Sequence, residues 1–364
     1  MIPFSKSCET LELSVIFGCS LQEQTFHTAP QSWFALPADA RIRLTFAYAV
    51  IFPIALLGNT LGLFVVLKTS SQSHRVTNLF IANMAVADLL LTVTEMPFQV
   101  ASLYRLNDWI GGMLGNITYK AFFYVTPVSI AATVLTMMLI TIDRFYAVFY
   151  LLKEKIFRKP KILSGTIWIL SFVLMLPYPM LFQVQFNSSQ NVYECLQVWP
   201  WEDPNDPTFK ETRHVLKIFH SIVFVVLYAL PLSIIIVIYF LICRKMCRRR
   251  IPGNATDSNR AAADKSKRKV VRLLVLIVVV FALCWFPSYV NHYLWFVRSD
   301  LYVKGMLPLE VEYFFIWFGH ANSAINSCIY NLMSDKFLRE LASTLAGWCP
   351  CLRRFNCPPN CQNT

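Results

Sequence analysis

Charged residues are scarce in this chain. Only 15% of its 364 residues are Asp, Glu, Lys or Arg, while 56% are hydrophobic, and the mean hydropathy is +0.48. A water-soluble globule needs more polar surface than this composition supplies. The composition therefore excludes an ordinary soluble protein and predicts one that lies in lipid.

Motifs that assemble catalytic sites are also absent from the sequence. It contains no glycine-rich phosphate loop, no His-Glu-x-x-His zinc helix and no Gly-x-Ser-x-Gly nucleophile turn. It lacks the matched broken halves and rings of like charge that are typical of transporters and channels. We therefore predict that the chain is not an enzyme, and we keep a transporter or channel as the less favoured alternative.

Seven long apolar segments dominate the sequence. Each reaches the roughly 20 residues that an α-helix needs to cross the hydrocarbon core, where backbone groups must be bonded within the segment. The segments cover residues 44–68, 78–103, 119–149, 163–182, 216–243, 270–297 and 311–333. The sequence predicts an all-α membrane protein whose seven-transmembrane helix bundle spans residues 44–333, after an N-terminal arm over 1–43.

Basic residues are concentrated in two connections, after the third segment and between the fifth and sixth. They are Lys153, Lys155, Arg158, Lys159, Lys161, Arg244, Lys245, Arg248, Arg249, Arg250, Lys265, Lys267, Arg268 and Lys269. The positive-inside rule makes these connections cytoplasmic. We expect a multi-pass plasma-membrane protein with an extracellular N-terminus and a cytoplasmic C-terminus. Anionic membrane lipid explains the net charge of +12 without nucleic acid.

The two ends of the chain carry weaker signals. The apolar run over residues 11–17 lacks a basic flank and a cleavage site, so we expect the first segment itself to direct insertion. Apolar residues at helical spacing predict an amphipathic membrane-surface helix over 334–346, followed by a cytoplasmic tail over 347–364. Cys349 and Cys351 in that tail are candidates for acylation, with free thiols as the alternative.

The outer side carries candidate modification sites. Asn116 and Asn187 begin Asn-x-Ser/Thr sequences on the extracellular side and predict glycosylation. Cys8, Cys19 and Cys195 also fall outside, where disulfides persist.

Asp88 is the most informative polar residue inside a predicted span. It lies about 15 Å along the second helix, where an unpaired carboxylate is costly. Its functional interpretation is a cation site or a proton-linked switch, and the alternative is a neutral, hydrogen-bonded structural acid. Candidate partners at similar depth are Asn59, Thr133, Asn322, Ser323 and Asn326.

Two features point to signalling across the bilayer. The pair Asp143 and Arg144 ends the third segment at the inner surface, where it either contacts a cytoplasmic partner or merely snorkels. In the sixth segment Trp285 lies beside Pro287, and a proline removes a helix hydrogen bond and permits a bend. Pro97, Pro177 and Pro231 predict bends in other spans.

These motifs, in this order, resemble the rhodopsin-like (class A) family of G-protein-coupled receptors. The stretches from Val128 to Thr136 and from Tyr228 to Leu232 look more like its neuropeptide-receptor branch than its amine or lipid branches. The resemblance covers about residues 44–345 and rests on Gly58-Asn59, Ala82 to Asp88, Asp143-Arg144-Phe145, Trp168, Pro231, Tyr239, Phe281, Cys284-Trp285-Phe286-Pro287 and Asn326-Ser327-Cys328-Ile329-Tyr330. It implies a receptor that relays extracellular binding to a heterotrimeric G protein by outward movement of the sixth helix. Arrestin is a further implied partner.

The resemblance also implies residue roles. A sodium pocket would use Asp88, Thr133, Asn322, Ser323 and Asn326, and no other cofactor is expected. Coupling would use Asp143, Arg144, Tyr239, Tyr330 and Lys267. A peptide ligand would meet Glu95, Gln99, Thr126, Trp285, His292, Glu312, Tyr313 and Ile316. The alternative function is an orphan or constitutively active receptor for a non-peptide ligand.

Several positions depart from the family pattern. Tyr119 stands where the family has the cysteine that ties the third span to the second outer loop, so Cys195 pairs with Cys8 or Cys19 or stays free. Ser327 replaces a proline, which predicts a softer kink, and Phe145 replaces a tyrosine. Thr126 and His320 replace the amine-binding aspartate and the retinal-linking lysine, which argues against both ligand types.

Acidic residues dominate the expected ligand region. Glu95, with Glu202, Asp203 and Asp206 on the loop above, predicts a peptide with a basic or amidated end, because clustered carboxylates steer cations. Arg213 and Lys217 argue the other way.

Overall fold

Long helices make up nearly all of the computed structural model, which describes residues 36–68, 75–105, 111–150, 159–187, 192–202, 210–248, 257–297 and 308–333. The first three spans are Ala38–Lys68, Arg75–Arg105 and Gly112–Phe149. The fourth consists of Pro160–Leu174 and Pro177–Leu181, and the fifth of Lys210–Phe224, the π-helical turn Val225–Ala229 and Leu230–Arg248. The sixth and seventh are Asp257–Val297 and Leu309–Met333.

Each predicted segment coincides with one of these spans, but most helices extend further at one or both ends. The first begins at Ala38, before the predicted start of the apolar segment at Leu44. A helix can continue past the hydrocarbon into the headgroup region, where polar side chains cost little. The predicted surface helix over 334–346 and the tail over 347–364 lie outside the described residues.

Six of the helices are long and apolar enough to cross a membrane by length and composition, among the described residues. The seventh span is more polar because one stretch of it carries His320, Asn322, Ser323, Asn326 and Ser327, all of which are buried. It packs against the first, second and sixth spans. Its polar side chains therefore face other helices and not lipid.

Prolines shape the fourth and fifth spans as predicted. Pro177 follows a break in the fourth span, and a π-helical turn comes directly before Pro231, with the Leu230 N–H bonded to the Val225 carbonyl. Proline lacks an N–H and its ring collides with the carbonyl four residues earlier, and the wider turn relieves that collision. Pro97 and Pro287 lie within continuous helices.

The bundle is apolar on its outside as well as inside. Phe46, Leu67, Val173 and Phe240 are more than half exposed, at 70%, 74%, 62% and 64%. Lipid tails are as apolar as these side chains, so burial from lipid gives no hydrophobic gain, and helices associate through close packing and hydrogen bonds instead. Exposed apolar faces are consequently the lipid-facing surfaces that a bundle of this kind requires.

A two-stranded hairpin follows the fourth span. Strand β1 (Phe182–Asn187) pairs antiparallel with β2 (Val192–Gln197), and Val184 stands opposite Cys195. The Val198 N–H donates to the Leu181 carbonyl at 2.9 Å and closes the base of the hairpin. Strand β1 packs against the third span.

Candidate functional site

A cavity of about 120 Å³ opens between those halves of the spans that the sequence predicts to face the extracellular side, called the outer halves. Its wall is mostly apolar and aromatic, with a few polar groups, which is the usual character of a ligand site. It is lined by Glu95, Gln99, Phe123, Thr126, Pro127, Ile130, Met175, Tyr178, His220, Val223, Phe224, Leu227, Trp285, Ser288, Tyr289, Tyr293, Ile316 and His320.

Glu95 is the acidic residue of this wall. Its side chain is buried, and its two carboxylate oxygens accept hydrogen bonds of 2.8 Å from the Gln99 amide and the Thr126 hydroxyl. Gln99 lies one turn further along the same helix, and Thr126 reaches across from the third span. Both donors are neutral, and among the described residues no Lys or Arg forms an ion pair with Glu95. The carboxylate is thus held in one orientation without a counter-charge.

Aromatic rings form much of the remaining wall. Phe224 lies 5.7 Å from Tyr293 between ring centroids, and Trp285 lies 6.4 Å from Tyr289. The faces of such rings carry partial negative charge and attract cations. Together with Glu95 they make the cavity electrostatically suited to a positively charged group.

Trp285 lies at the floor of the cavity. The indole contacts Phe281 at 6.3 Å and His320 at 6.4 Å between ring centroids, and His320 is bonded through Nδ1 to the Tyr48 hydroxyl at 3.0 Å. Gly319 allows this approach, because a Cβ there would lie 3.2 Å from the indole ring. A ligand that reaches the floor would therefore press on a closely packed side chain.

The predicted ligand residues divide into two groups. Glu95, Gln99, Thr126, Trp285 and Ile316 line the cavity. Two others do not join them there: Tyr313 packs with Leu36, Ala40 and Leu103, and Glu312 is buried away from the described lining. The side chain of His292 lies outside the described residues, so its role stays a prediction.

The sequence analysis did not predict most of the remaining residues of the cavity wall. Ser288, Tyr289 and Tyr293 are unassigned in the sequence analysis, although they lie one and two turns beyond Trp285 on the same helix. Extending the helical spacing from Trp285 would have found them. No comparable sequence signal marks Met175 or Tyr178, since their placement depends on the break at Pro177.

Glu202 serves a structural purpose. Its carboxylate accepts the Thr212 N–H at 2.6 Å and the Glu211 N–H at 3.3 Å, which caps the first turn of the fifth span. The Thr212 hydroxyl in turn accepts the Trp199 N–H at 2.8 Å. This acid is therefore already engaged, while Asp203 and Asp206 lie outside the described residues.

A second, much smaller cavity of about 10 Å³ lies below Trp285. It is lined by Ala87, Asp88, Leu91, Ser129, Ile130, Thr133, Phe281, Trp285 and Asn322. Both cavities share Ile130 and Trp285 as lining residues. These two side chains therefore separate the outer cavity from the Asp88 region.

Asp88 is only partly satisfied by its neighbours. The Ser323 hydroxyl donates to its Oδ1 at 2.9 Å, whereas Oδ2 and the Asn322 Oδ1 are buried without a hydrogen-bond partner among the described residues. Asn326 adjoins the same carboxylate, and Asn59 donates to the Ser323 carbonyl at 3.2 Å. Carboxylate, hydroxyl and amide oxygens are ligands that hard cations prefer. Asp88 brings one formal charge to these oxygens, and a single charge suits a monovalent cation. In the described part, no three His, Cys, Asp or Glu side chains converge.

At the inner end the Arg144 guanidinium is paired with the neighbouring Asp143. Its Nε donates to the Asp143 Oδ2 at 3.0 Å, and the two side chains are 20% and 14% exposed. Tyr239 and Tyr330 are buried nearby, and the Tyr330 hydroxyl donates to the Met84 sulfur at 3.2 Å. Lys267 lies on the sixth helix, but its side chain is outside the described residues.

A contact between the third and fifth spans lies beside this pair. The Lys245 ammonium stands 4.2 Å from the centroid of the Phe149 ring and donates to the Phe149 carbonyl at 3.4 Å. Phe145 stacks on Phe149 with ring centroids 4.5 Å apart. The phenylalanine that replaces the family's tyrosine therefore extends an aromatic stack that Lys245 caps.

The other departures are also well packed. Ser327 is buried, donates to the Ala324 carbonyl at 2.8 Å, and leaves so little space that a Cβ on Gly58 would lie 2.3 Å from its hydroxyl oxygen. The seventh helix runs unbroken past it.

The candidate modification sites are only partly described. Asn116 lies near the outer start of the third helix, and Asn187 ends β1. Cys8, Cys19, Cys349 and Cys351 lie outside the described residues, as does the side chain of Cys195.

Comparison with known proteins agrees with this arrangement. The profile of the seven-transmembrane receptors of the rhodopsin family matches residues 58–330. The chain is 30% identical over 322 residues to neuropeptide FF receptor 1 of Homo sapiens, covering 84% of this chain and 70% of that receptor. It is 29% identical over 345 residues to the tachykinin-like peptides receptor 86C of Drosophila melanogaster, covering 91% of this chain and 64% of that receptor.

Proposed function

The chain belongs to the rhodopsin family of seven-transmembrane receptors, and we propose that it binds a peptide with a cationic group and relays that binding to a heterotrimeric G protein. The family resemblance and the seven-helix fold predicted from the sequence are confirmed by the match over residues 58–330. A receptor role follows, and we assign the chain no enzymatic activity.

The observation that carries the ligand proposal is the buried Glu95 carboxylate. A charge taken out of water is costly unless a partner of opposite sign meets it. Two neutral donors fix its orientation, and aromatic rings line the same cavity. A basic side chain or a protonated amine of the ligand would complete the pair. The relatives named above are receptors for neuropeptide FF and tachykinin-like peptides, which supports a peptide as the ligand that carries this cationic group.

Trp285 and Pro287 provide the relay. Trp285 lines both cavities, and the sixth helix continues inward from Pro287 to Asp257, about 45 Å along its axis. A tilt of about 10° at Pro287 would displace that inner end by about 8 Å. Ligand and G protein would both favour the tilted state, so each would raise the other's affinity.

The inner surface supplies the coupling site. Asp143, Arg144, Tyr239 and Tyr330 lie at or near it, and Lys267 belongs to the basic inner part of the sixth helix. Removing the contact between Arg144 and Asp143 would free the guanidinium for carbonyl oxygens of a partner helix. Arrestin would use the same face.

The Asp88 region fits a sodium ion. Asp88, Thr133, Asn322, Ser323 and Asn326 would hold it, since two buried oxygens there lack partners among the described residues. A bound sodium ion would neutralise the carboxylate.

The topology places the N-terminus outside and the basic connections in the cytoplasm, against anionic lipid. Glycosylation at Asn116 and Asn187, acylation at Cys349 and Cys351, and a disulfide from Cys195 to Cys8 or Cys19 accord with that orientation.

A second-messenger screen against a neuropeptide library tests the proposal. We expect a cationic peptide to give a concentration-dependent signal that Arg144→Ala abolishes while surface expression and binding of the labelled peptide persist. Ion flux without any G-protein response, or a full response from Arg144→Ala, would contradict it.

A further inference from the structure

We propose that an aromatic cluster around Tyr119 holds the β1–β2 hairpin against the third span without any covalent tie to that span. The proposal goes beyond ligand recognition and does not depend on the identity of the ligand. It concerns how one wall of the outer cavity is positioned.

A disulfide between the hairpin and the third span is excluded by composition. Residues 106–149, which include the whole third helix, contain no cysteine. Tyr119 stands on that helix and is 0% exposed. The hairpin nevertheless packs on the third span, so non-covalent contacts must hold it there.

Phe182, the first residue of β1, supplies those contacts. It is 1% exposed, and its ring lies edge-on to Tyr119 with centroids 5.4 Å apart. Phe123 lies 5.0 Å from it, and Tyr178 stacks on it at 6.0 Å. All three distances fall in the range of favourable aromatic pairs. Phe182 is thus surrounded by two rings from the third span and one from the end of the fourth.

The same cluster continues into the wall of the outer cavity. Phe123, Met175 and Tyr178 belong to the buried cluster with Tyr119 and Phe182, and they also line the cavity. Val184, further along β1, packs against the cluster as well. Loosening the contact between Tyr119 and Phe182 would therefore release the hairpin and move the cavity wall together. Tyr119 is a positioning residue for the ligand site.

Hydrogen–deuterium exchange of the full-length receptor in lipid nanodiscs tests this without a ligand. The exchange of hairpin amides 182–198 is compared between the wild-type receptor and its variants. All samples contain a thiol reductant, so that any disulfide from Cys195 to the N-terminal arm is open and only non-covalent contacts hold the hairpin on the third span. Tyr119→Phe keeps the ring and should stay within about threefold of wild type. Tyr119→Ala should accelerate the exchange of these amides by about tenfold or more.

Two controls make the result decisive. Tyr146→Ala removes a tyrosine at the inner end of the same helix and should leave the hairpin unchanged. If Tyr119→Ala fails to fold, Tyr119→Leu keeps a larger apolar side chain than alanine but no ring, and should still accelerate exchange by about threefold. Unchanged hairpin exchange in both Tyr119→Ala and Tyr119→Leu would overturn the proposal, as would equal effects of Tyr119→Ala and Tyr146→Ala.

Discussion

Replacing Glu95 with Gln removes one negative charge from the outer cavity while keeping the size and shape of the side chain. The Gln99 amide can still donate to the new side chain, and the Thr126 hydroxyl can rotate to accept from it, so we expect the fold to persist. At an effective dielectric constant of about 20, an ion pair at about 4 Å is worth about 4 kcal/mol. Desolvation of the ligand cation cancels part of that energy and leaves about 2–3 kcal/mol, which lies within the range of about 1.5–3 kcal/mol for hydrogen bonds to charged groups.

This energy corresponds to a loss of about 30- to 150-fold in potency for a cationic peptide. The assay is a concentration–response series of the wild-type and Glu95→Gln receptors, each with the cationic peptide and with its charge-neutral analogue. The neutral analogue should be weak on both receptors and should lose little further potency on the variant, because it has no charge to pair.

Glu312 provides the matched control for this experiment. It is as deeply buried as Glu95 but is absent from the described cavity lining. Glu312→Gln should therefore leave the potency of the cationic peptide within about threefold of wild type. Equal potency on wild type and Glu95→Gln, or the same loss from both substitutions, would refute the assignment of Glu95 as the cation partner.

Two further predictions address the lower half of the bundle. If Asp88 holds sodium, replacing N-methylglucamine chloride with sodium chloride at constant ionic strength should stabilise the purified wild-type receptor by on the order of 1 kcal/mol in thermal unfolding. Asp88→Asn should abolish that difference, and a variant that keeps it would exclude this site. Lys245→Met removes the contact of the ammonium with Phe149, worth about 0.5–2 kcal/mol, and should change ligand-independent signalling by about 2- to 30-fold relative to Lys245→Arg. Identical basal signalling in the two variants at matched surface expression would show that the contact does not bias the receptor.

The sequence predicted the helices well because bilayer thickness imposes a length on every apolar segment. It placed their ends less well, as the early start at Ala38 illustrates. Hydropathy follows the hydrocarbon, whereas helices continue beyond it.

The polar residues of the candidate site could be predicted from the sequence, whereas its apolar residues could not. Glu95, Gln99 and Thr126 are conspicuous in apolar spans, because a polar side chain in lipid needs a partner, and the structure brings these three together. Leu227 and Val223 line the same cavity, whereas Ile222 and Val225 on the same span are about half exposed. In a membrane protein apolar residues occupy both faces of a helix, so composition does not say which of them point inward.

The seventh span shows why such a bundle tolerates polar residues at all. Among the described spans it is the one that is less apolar than the six membrane-crossing helices, because Asn322, Ser323 and Asn326 are gathered on it. These side chains meet Asp88 or lie close to it and stay buried. A wholly apolar seventh helix would insert more readily but would leave the Asp88 carboxylate without a partner in hydrocarbon. The polar side chains of the seventh span and the Asp88 carboxylate of the second therefore depend on each other. Replacing either partner alone with an apolar residue should destabilise the folded receptor more than replacing both.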